Sequence, residues 1–409
     1  MVKASAFSAV LAFASLAVAH PGEHHTPDQI KREVSARGLA HHKMTRALNS
    51  CADTPSFQAR NARALARRAE TARQLREKRN ISHKPINIGK RDQDALEKWV
   101  AVDHLNTDGY TLDTPSDTLF TGNATCALVE ETTIGPYFVA GELVRTNVTE
   151  GQAGVPLHLD MQFVDVSDCS AVSDIVVDIW HCNATGVYSG VSATGQGGLN
   201  STFCRGAQIS DDDGVVQFDT VFPGHYTGRV THIHILSTKD AKVLSNQTYE
   251  GGVATHVGQL FFDPDLVASV EALDPYTSNA QSITDILSDG IAAAEATSDY
   301  DIFVDYALLG DKPADGVLAW ITVGVDSSAN YSDSATPAAH YYEGGGVDTG
   351  SSMGGPGGSG GPPSNSDGTS SASSTTAVST GTASSSGAAS SSTTSSGASR
   401  RLVAPFRLF

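Results

Sequence analysis

Long apolar runs are nearly absent from this 409-residue chain, and basic residues are scarce after position 91. The one exception among apolar stretches is AFSAVLAFASLAVA, which follows Lys3 and closes on Ala17, Val18 and Ala19. A positive start, a short apolar centre and a small-residue end make residues 1–19 a secretory signal peptide cleaved after Ala19. No other run is long enough to cross a bilayer, so an exported protein without a membrane span is expected. Residues 92–409 hold 10 Lys/Arg against 39 Asp/Glu, whereas residues 1–91 hold 17 against 6. So acidic a body argues against nucleic acid as a partner. Cysteine is also sparse: Cys51, Cys126, Cys169, Cys182 and Cys204. The last four fall in the central region, where an oxidising compartment would allow two disulfides and leave Cys51 odd.

Composition divides the chain further. Residues 20–91 are rich in His and Arg, and 56–79 has the Ala, Arg, Glu, Gln and Leu content of a helix with a thin apolar stripe. The dibasic pair Lys90-Arg91 follows, so 20–91 reads as a basic pro-segment cut after Arg91 or as an extension that stays attached, with 92–119 a linker. Residues 120–343 show short β-type segments at 156–166, 175–182, 215–221, 229–237, 256–262 and 317–325, separated by Gly, Asn and Asp clusters. One helix is expected at 278–297. This pattern predicts a mostly β domain, a β-sandwich with few helices. From 344 the chain turns to Gly, Ser, Thr and Ala and cannot offset its ordering entropy, so 344–409 reads as a disordered tail. Seven N-x-S/T sequons, at Asn80, Asn123, Asn147, Asn183, Asn200, Asn246 and Asn330, accord with export and glycosylation.

The chemistry concentrates in GHYTGRVTHIHIL (224–236). β-Branched residues alternate with polar ones over 229–236, so this is a strand, and His232 and His234 project from one face. Two imidazoles side by side form a chelate open to zinc, copper or iron. Tyr226 precedes the strand and Tyr188 follows the segment 175–182. If those strands are neighbours, two phenols join two imidazoles, and phenolate oxygen suits a hard trivalent ion such as Fe(III).

Four blocks extend this reading: ETTIGPYFV (131–139), VVDIWHCNATGVYSGV (176–191), 202–235 and THVGQLFFD (255–263). Over roughly 120–325 the chain resembles the intradiol ring-cleavage dioxygenases, and most of all their secreted fungal branch. The resemblance implies one non-haem Fe(III) per chain, held by Tyr188 and His234 in the substrate plane and by Tyr226 and His232 along the axis. It implies Arg229 and Gln259 as active-site groups, and Gly135, Pro136, Tyr137 and Trp180 as pocket positions. It further implies catechol and O2 as substrates, a muconate-type diacid as product, and no NAD, flavin or external reductant. The link from Tyr226 to Arg229 is shorter than in the intracellular enzymes, and their helical dimerisation region is not recognisable. The substrate's identity and the oligomeric state are not set by the sequence.

Other readings stand beside it. The sandwich could be an inactive module binding aromatics or polysaccharide. Cleavage after Ala19 would expose His20, with His24 and His25 nearby, as a copper-chelating terminus. Asp211 to Asp213 form either a calcium run or an acidic turn. His181, His225 and His256 read as structural groups or as partners behind the site.

Overall fold

The computed structural model describes residues 54–89, 105–106, 114, 134–295, 302–342 and 344–350. The expected signal peptide, the dibasic pair, Cys51, Cys126, Asn123, the three N-terminal His residues and most of the tail lie outside them, as do residues 131–133 of the first block.

In chain order the elements are helix α1 (Pro55–Lys78), strands β1 (Asn87–Gly89), β2 (Leu105–Asn106), β3 (Val139–Ala140), β4 (Pro156–Asp165), β5 (Val176–Trp180), β6 (Arg205–Ile209), β7 (Val215–Val221), β8 (His232–Lys239), β9 (Lys242–Val243), β10 (Tyr249–Glu250) and β11 (Val253–Phe261), helices α2 (Pro264–Glu271) and α3 (Gly290–Glu295), and strands β12 (Asp305–Leu308), β13 (Val317–Val325), β14 (Ala339–Tyr342) and β15 (Gly345–Asp348). The predicted strands recur with shifted ends. The strand expected to start at 229 starts at His232, because Arg229 and Val230 turn aside to meet Asp289.

Two sheets face each other, ordered β2-β1-β12-β13-β4-β7 and β11-β8-β5-β6. Alternation along each strand explains the layering. Leu157, Leu159, Met161 and Phe163 of β4 point into one core, as do Val317, Ala319, Ile321 and Val323 of β13. There they meet Val177, Ile179, Ile233 and Ile235 from the other sheet. The fold is therefore the expected β-sandwich. The intervening residues emerge on two outer faces. On the four-stranded sheet these are Trp180, His232, His234 and Leu236. On the six-stranded sheet they are Asp160, Leu318 and Trp320.

Helix α1 covers the second of these outer faces, and the face it presents sets Arg60, Arg68 and Arg76 among Phe57, Ala64, Leu65, Ala72 and Leu75. Thr54 caps its start by accepting from Phe57 N. Arg67 grips the buried Asp160 carboxylate in a fork of 2.7 and 3.0 Å, and Arg68 approaches the same carboxylate at 3.3 Å. The Arg68 guanidinium lies 5.6 Å from the Trp320 ring centre. Burial alone would raise the Asp160 pKa, yet Arg67 and Arg68 hold it below its ordinary value. Arg76 donates to the carbonyls of Pro85, Ser82, Lys84 and Leu309, and β1 pairs antiparallel with β12. Residues 55–89 are thus an integral layer of the fold. The helix is therefore packed rather than merely solvated, while the expected cut after Arg91 falls outside the described residues. A hydropathy stripe is blind to arginines paired with an acid on another strand.

Two further expectations change, and one of two alternatives is decided. Among its described residues, the helix predicted at 278–297 is α-helical only at Gly290–Glu295, with single 3₁₀ turns at Tyr276–Ser278 and Ile286–Ser288. Asn279, Gln281, Thr284 and Asp285 instead spend their side chains on backbone groups, the competition that keeps such residues out of helices. Two disulfides among the four central cysteines do not form, since Cys182 and Cys204 are both buried free thiols. Cys182 donates to the Gly224 carbonyl at 3.2 Å. The aspartates at 211–213 make a turn: Asp211 accepts from Asp213 N and Val215 N, and Asp213 pairs with Arg63.

His256 is fully enclosed, and burial pushes its pKa down to about 4. The unfolded chain takes up that proton near pH 6.5, so native stability falls as pH drops from about 6.5 to 4. At roughly 1.4 kcal/mol per pH unit the loss is about 3 kcal/mol. Denaturant titrations of His256→Leu are therefore expected to lose about 3 kcal/mol less than the parent over that window. Parallel curves would show the imidazole to be protonated in both states.

Candidate metal centre

Four side chains converge on the outer face of the four-stranded sheet. His232 and His234 come from alternate positions of β8, as strand geometry requires. Tyr188 arrives from the turn after β5, the strand that pairs with β8 so that Trp180 lies opposite His234. Asn183 shapes that turn by accepting from Thr185 N and Val187 N. The same Asn is one of the sequon residues. Tyr226 sits in a tight turn closed by Arg229 N donating to its carbonyl at 3.2 Å.

His232 Nε2 lies 3.1 Å from His234 Nε2, 3.3 Å from the Tyr226 hydroxyl and 3.5 Å from the Tyr188 hydroxyl. The other nitrogen of His232, Nδ1, donates to the Val230 carbonyl at 2.6 Å. That bond fixes the tautomer and leaves the Nε2 lone pair facing the other three groups. Among the described residues, no group of three or more His, Cys, Asp or Glu forms a metal site. The imidazoles acquire a complete donor set only by including the phenols.

The surroundings are apolar and close-packed. Trp180 stacks on His234 with ring centres 4.9 Å apart and planes 5° from parallel. Tyr137 packs against Tyr188 at 4.7 Å. Gly135 adopts φ +74°, and a Cβ there would stand 3.0 Å from His234 Cε1, so backbone strain and close approach both require glycine. Pro136, half-buried, connects Gly135 to Tyr137. The structure therefore brings the predicted pocket residues Gly135 and Trp180 against His234, and Tyr137 against Tyr188.

Burial dominates the protonation states. It pushes the Tyr226 phenol up to about 12 and the Tyr188 phenol far above its ordinary value. The His232 imidazole is pushed down to about 3, and His234 well below its usual range, first by burial and next by neighbouring charge. Both imidazoles are neutral at pH 7, the form in which a nitrogen offers its lone pair to a metal.

Arg229 borders this group. Its Nη2 donates to Gln259 Oε1 at 2.6 Å and its Nε to Asp289 Oδ2 at 2.8 Å. Gln259 stands opposite His234 in the β8–β11 register. The sequence reading missed Asp289 and the segment before it. Gln281 joins the two tyrosine turns, its amide donating to the Thr185 and Gly186 carbonyls and its oxygen accepting from Thr227 N. Thr284 accepts from Gly228 N. No local motif marks these residues, because their partners around the site are more than 50 positions away. Of the histidines set aside, His181 bonds Thr220 and the Cys182 carbonyl, and His225 bonds the Gln281 carbonyl.

Residues 134–247 match the Dioxygenase family model, and that stretch contains Tyr188, Tyr226, Arg229, His232 and His234. No curated protein matches the chain. Among solved structures, an intradiol ring-cleavage dioxygenase from Tetranychus urticae is 24% identical over 50% of this chain and 97% of its own, with a TM-score of 0.42. The catechol 1,2-dioxygenase from Pseudomonas arvilla C-1 is 17% identical over 51% of this chain and 64% of its own, at 0.33. The dioxygenase domain of a carbohydrate-binding fusion from Streptomyces sp. SirexAA-E is 20% identical over 48% of this chain and 97% of its own, at 0.31.

Proposed function

We propose that this dioxygenase-family domain is a non-haem ferric enzyme that opens catechol-type rings between the two hydroxyls with O2, yielding muconate-type diacids. The observation that carries the proposal is the convergence of Tyr188, Tyr226, His232 and His234 beside Arg229. The other three donor atoms lie 3.1 to 3.5 Å from His232 Nε2. Bonds of about 2.1 Å in a tetrahedral arrangement put donors about 3.4 Å apart, so these three separations suit donors that share one ion. Two phenolates and two neutral imidazoles favour a hard trivalent ion over a soft one.

Ferric iron there would supply Lewis acidity toward a chelating catechol. The protein's own groups supply the rest. Tyr188 is fully enclosed while Tyr226 is partly open, so Tyr226 is the phenolate placed to accept a catechol proton. Arg229, steadied by Gln259, offers a fixed guanidinium to negative charge developing on the ring oxygens. Trp180 and Gly135 keep His234 in one orientation, and the apolar wall of Tyr137 and Trp180 excludes water from the donors. The leader at 1–19 and the exposed sequons Asn80, Asn147, Asn200 and Asn330 support an extracellular, glycosylated protein.

The purified protein is expected to be red-brown from tyrosinate-to-iron charge transfer, to carry one iron per chain, and to consume one O2 per catechol. Tyr188→Phe and His234→Ala are each expected to lose colour and lower turnover at least 100-fold, the scale of a lost catalytic group. Colourless, iron-free protein that consumes no oxygen from a panel of catechols would leave only a binding module.

A further inference from the structure

We propose that Asp289 is a positioning residue that fixes the guanidinium of Arg229 and the ring of His232 through a single carboxylate oxygen. This rests on the reading of Arg229 and His232 as active groups, but the contacts themselves belong to the chain.

The Asp289 side chain has no exposed surface. Its two oxygens divide their work. Oδ1 accepts from Ile291 N at 2.9 Å and Ala292 N at 3.1 Å, which starts α3. Oδ2 accepts from Arg229 Nε at 2.8 Å and from Val230 N at 2.9 Å. The Val230 carbonyl in turn receives the His232 Nδ1 proton. One oxygen therefore ties down both the arginine and the backbone N–H of Val230, the residue whose carbonyl, one peptide further on, sets the histidine's tautomer. Gln259 holds only the other arm of Arg229, so without Asp289 the guanidinium could pivot about that contact. Partners at this remove from a metal ligand commonly matter about 10- to 100-fold for affinity or activity.

The two-oxygen division makes the isosteric change informative. In Asp289→Asn the amide oxygen can keep both α3 contacts. The NH2 group then replaces Oδ2 and confronts two donors, Arg229 Nε–H and Val230 N–H, which it cannot accept from. The fold should survive while the site contacts are lost. Asp285→Asn serves as control: Asp285 is exposed, caps only Leu287 N and touches no site residue.

The test uses the full chain in two arms. In metal-free protein, 15N NMR follows the Arg229 Nε–H and His232 Nδ1–H protons. Asp289→Asn is expected to exchange both at least tenfold faster, with the melting temperature within a few degrees of the parent and Asp285→Asn unchanged. In the iron-loaded protein, kcat is expected to fall about 10- to 100-fold with KM changed less than about threefold. Unaltered exchange in Asp289→Asn overturns the assignment, as does a lowered melting temperature with both protons still protected, which would make Asp289 a helix cap only. If the parent binds no iron and opens no catechol, the proposed function fails, while the metal-free arm still decides the role of Asp289.

Discussion

A chain beginning at residue 92 is expected to be largely unfolded at 25 °C. Removing 55–89 takes away α1 and β1 and strips the cover from Leu318, Trp320, Ala307 and Leu309. Leu65, Leu75, Ile81, Ile86 and Ile88 leave with it, and at roughly 1.5–3 kcal/mol per buried aliphatic side chain the lost burial is on the order of 10 kcal/mol. Asp160 loses Arg67 and Arg68 but stands on the face that α1 leaves open, where water replaces them. The lost burial alone matches the whole stability of an ordinary domain, about 5–15 kcal/mol. Far-UV circular dichroism of 92–409 against the full chain decides the matter: a cooperative melt within about 5 °C of the parent would show the layer to be dispensable. Cutting the folded chain after Arg91 is a different experiment. The segment is held by β1–β12 pairing and by Arg60, Arg63, Arg67, Arg68 and Arg76, so the two pieces are expected to co-elute and to separate only in denaturant. A basic stretch before a dibasic pair looks removable in sequence, but here it is a wall of the domain.

What the sequence makes legible follows the range of the physics involved. The run at Val317–Val325 is apolar but for Thr322 because β13 lies between α1 and the opposite sheet, and a doubly covered strand needs no partner information to be recognised. The parity of His232 and His234 is local, so their shared face is readable too. Tyr188 and Tyr226 are 38 positions apart, and only the resemblance of whole blocks joins them before β5 is seen to pair with β8. The arginine face of α1 is unreadable, since its partner Asp160 is 92 residues from Arg68. The segment after 278 misleads for the same reason: Gln281 and Thr284 resemble tolerable helix residues until their partners in the Tyr226 turn are known. Cys182 and Cys204 could be counted but not assigned, because their burial as thiols depends on neighbouring strands.

Loading the metal-free protein with chelated ferric ion is expected to release two tyrosine protons per ion, with affinity rising about 100-fold per pH unit near neutrality. The sign follows from the protonation states. Burial holds the Tyr226 phenol at about 12 and Tyr188 well above its ordinary value, so both carry their protons at pH 7 and must lose them to become ligands. Burial likewise keeps His232 and His234 unprotonated, so the imidazoles release nothing. Each proton displaced contributes about a tenfold gain per pH unit, because higher pH makes its removal easier. Calorimetry in buffers of different ionisation enthalpy counts these protons directly, after subtraction of those exchanged by the chelator. Tyr226→Phe and Tyr188→Phe are each expected to lower the count by one and to reduce the pH slope to about tenfold per unit. His234→Ala should weaken binding while leaving the count unchanged. A count that neither tyrosine substitution alters would mean that the phenols stand beside the ion rather than on it, and the ferric assignment would lose its chemical basis, since two neutral imidazoles alone do not prefer a trivalent cation.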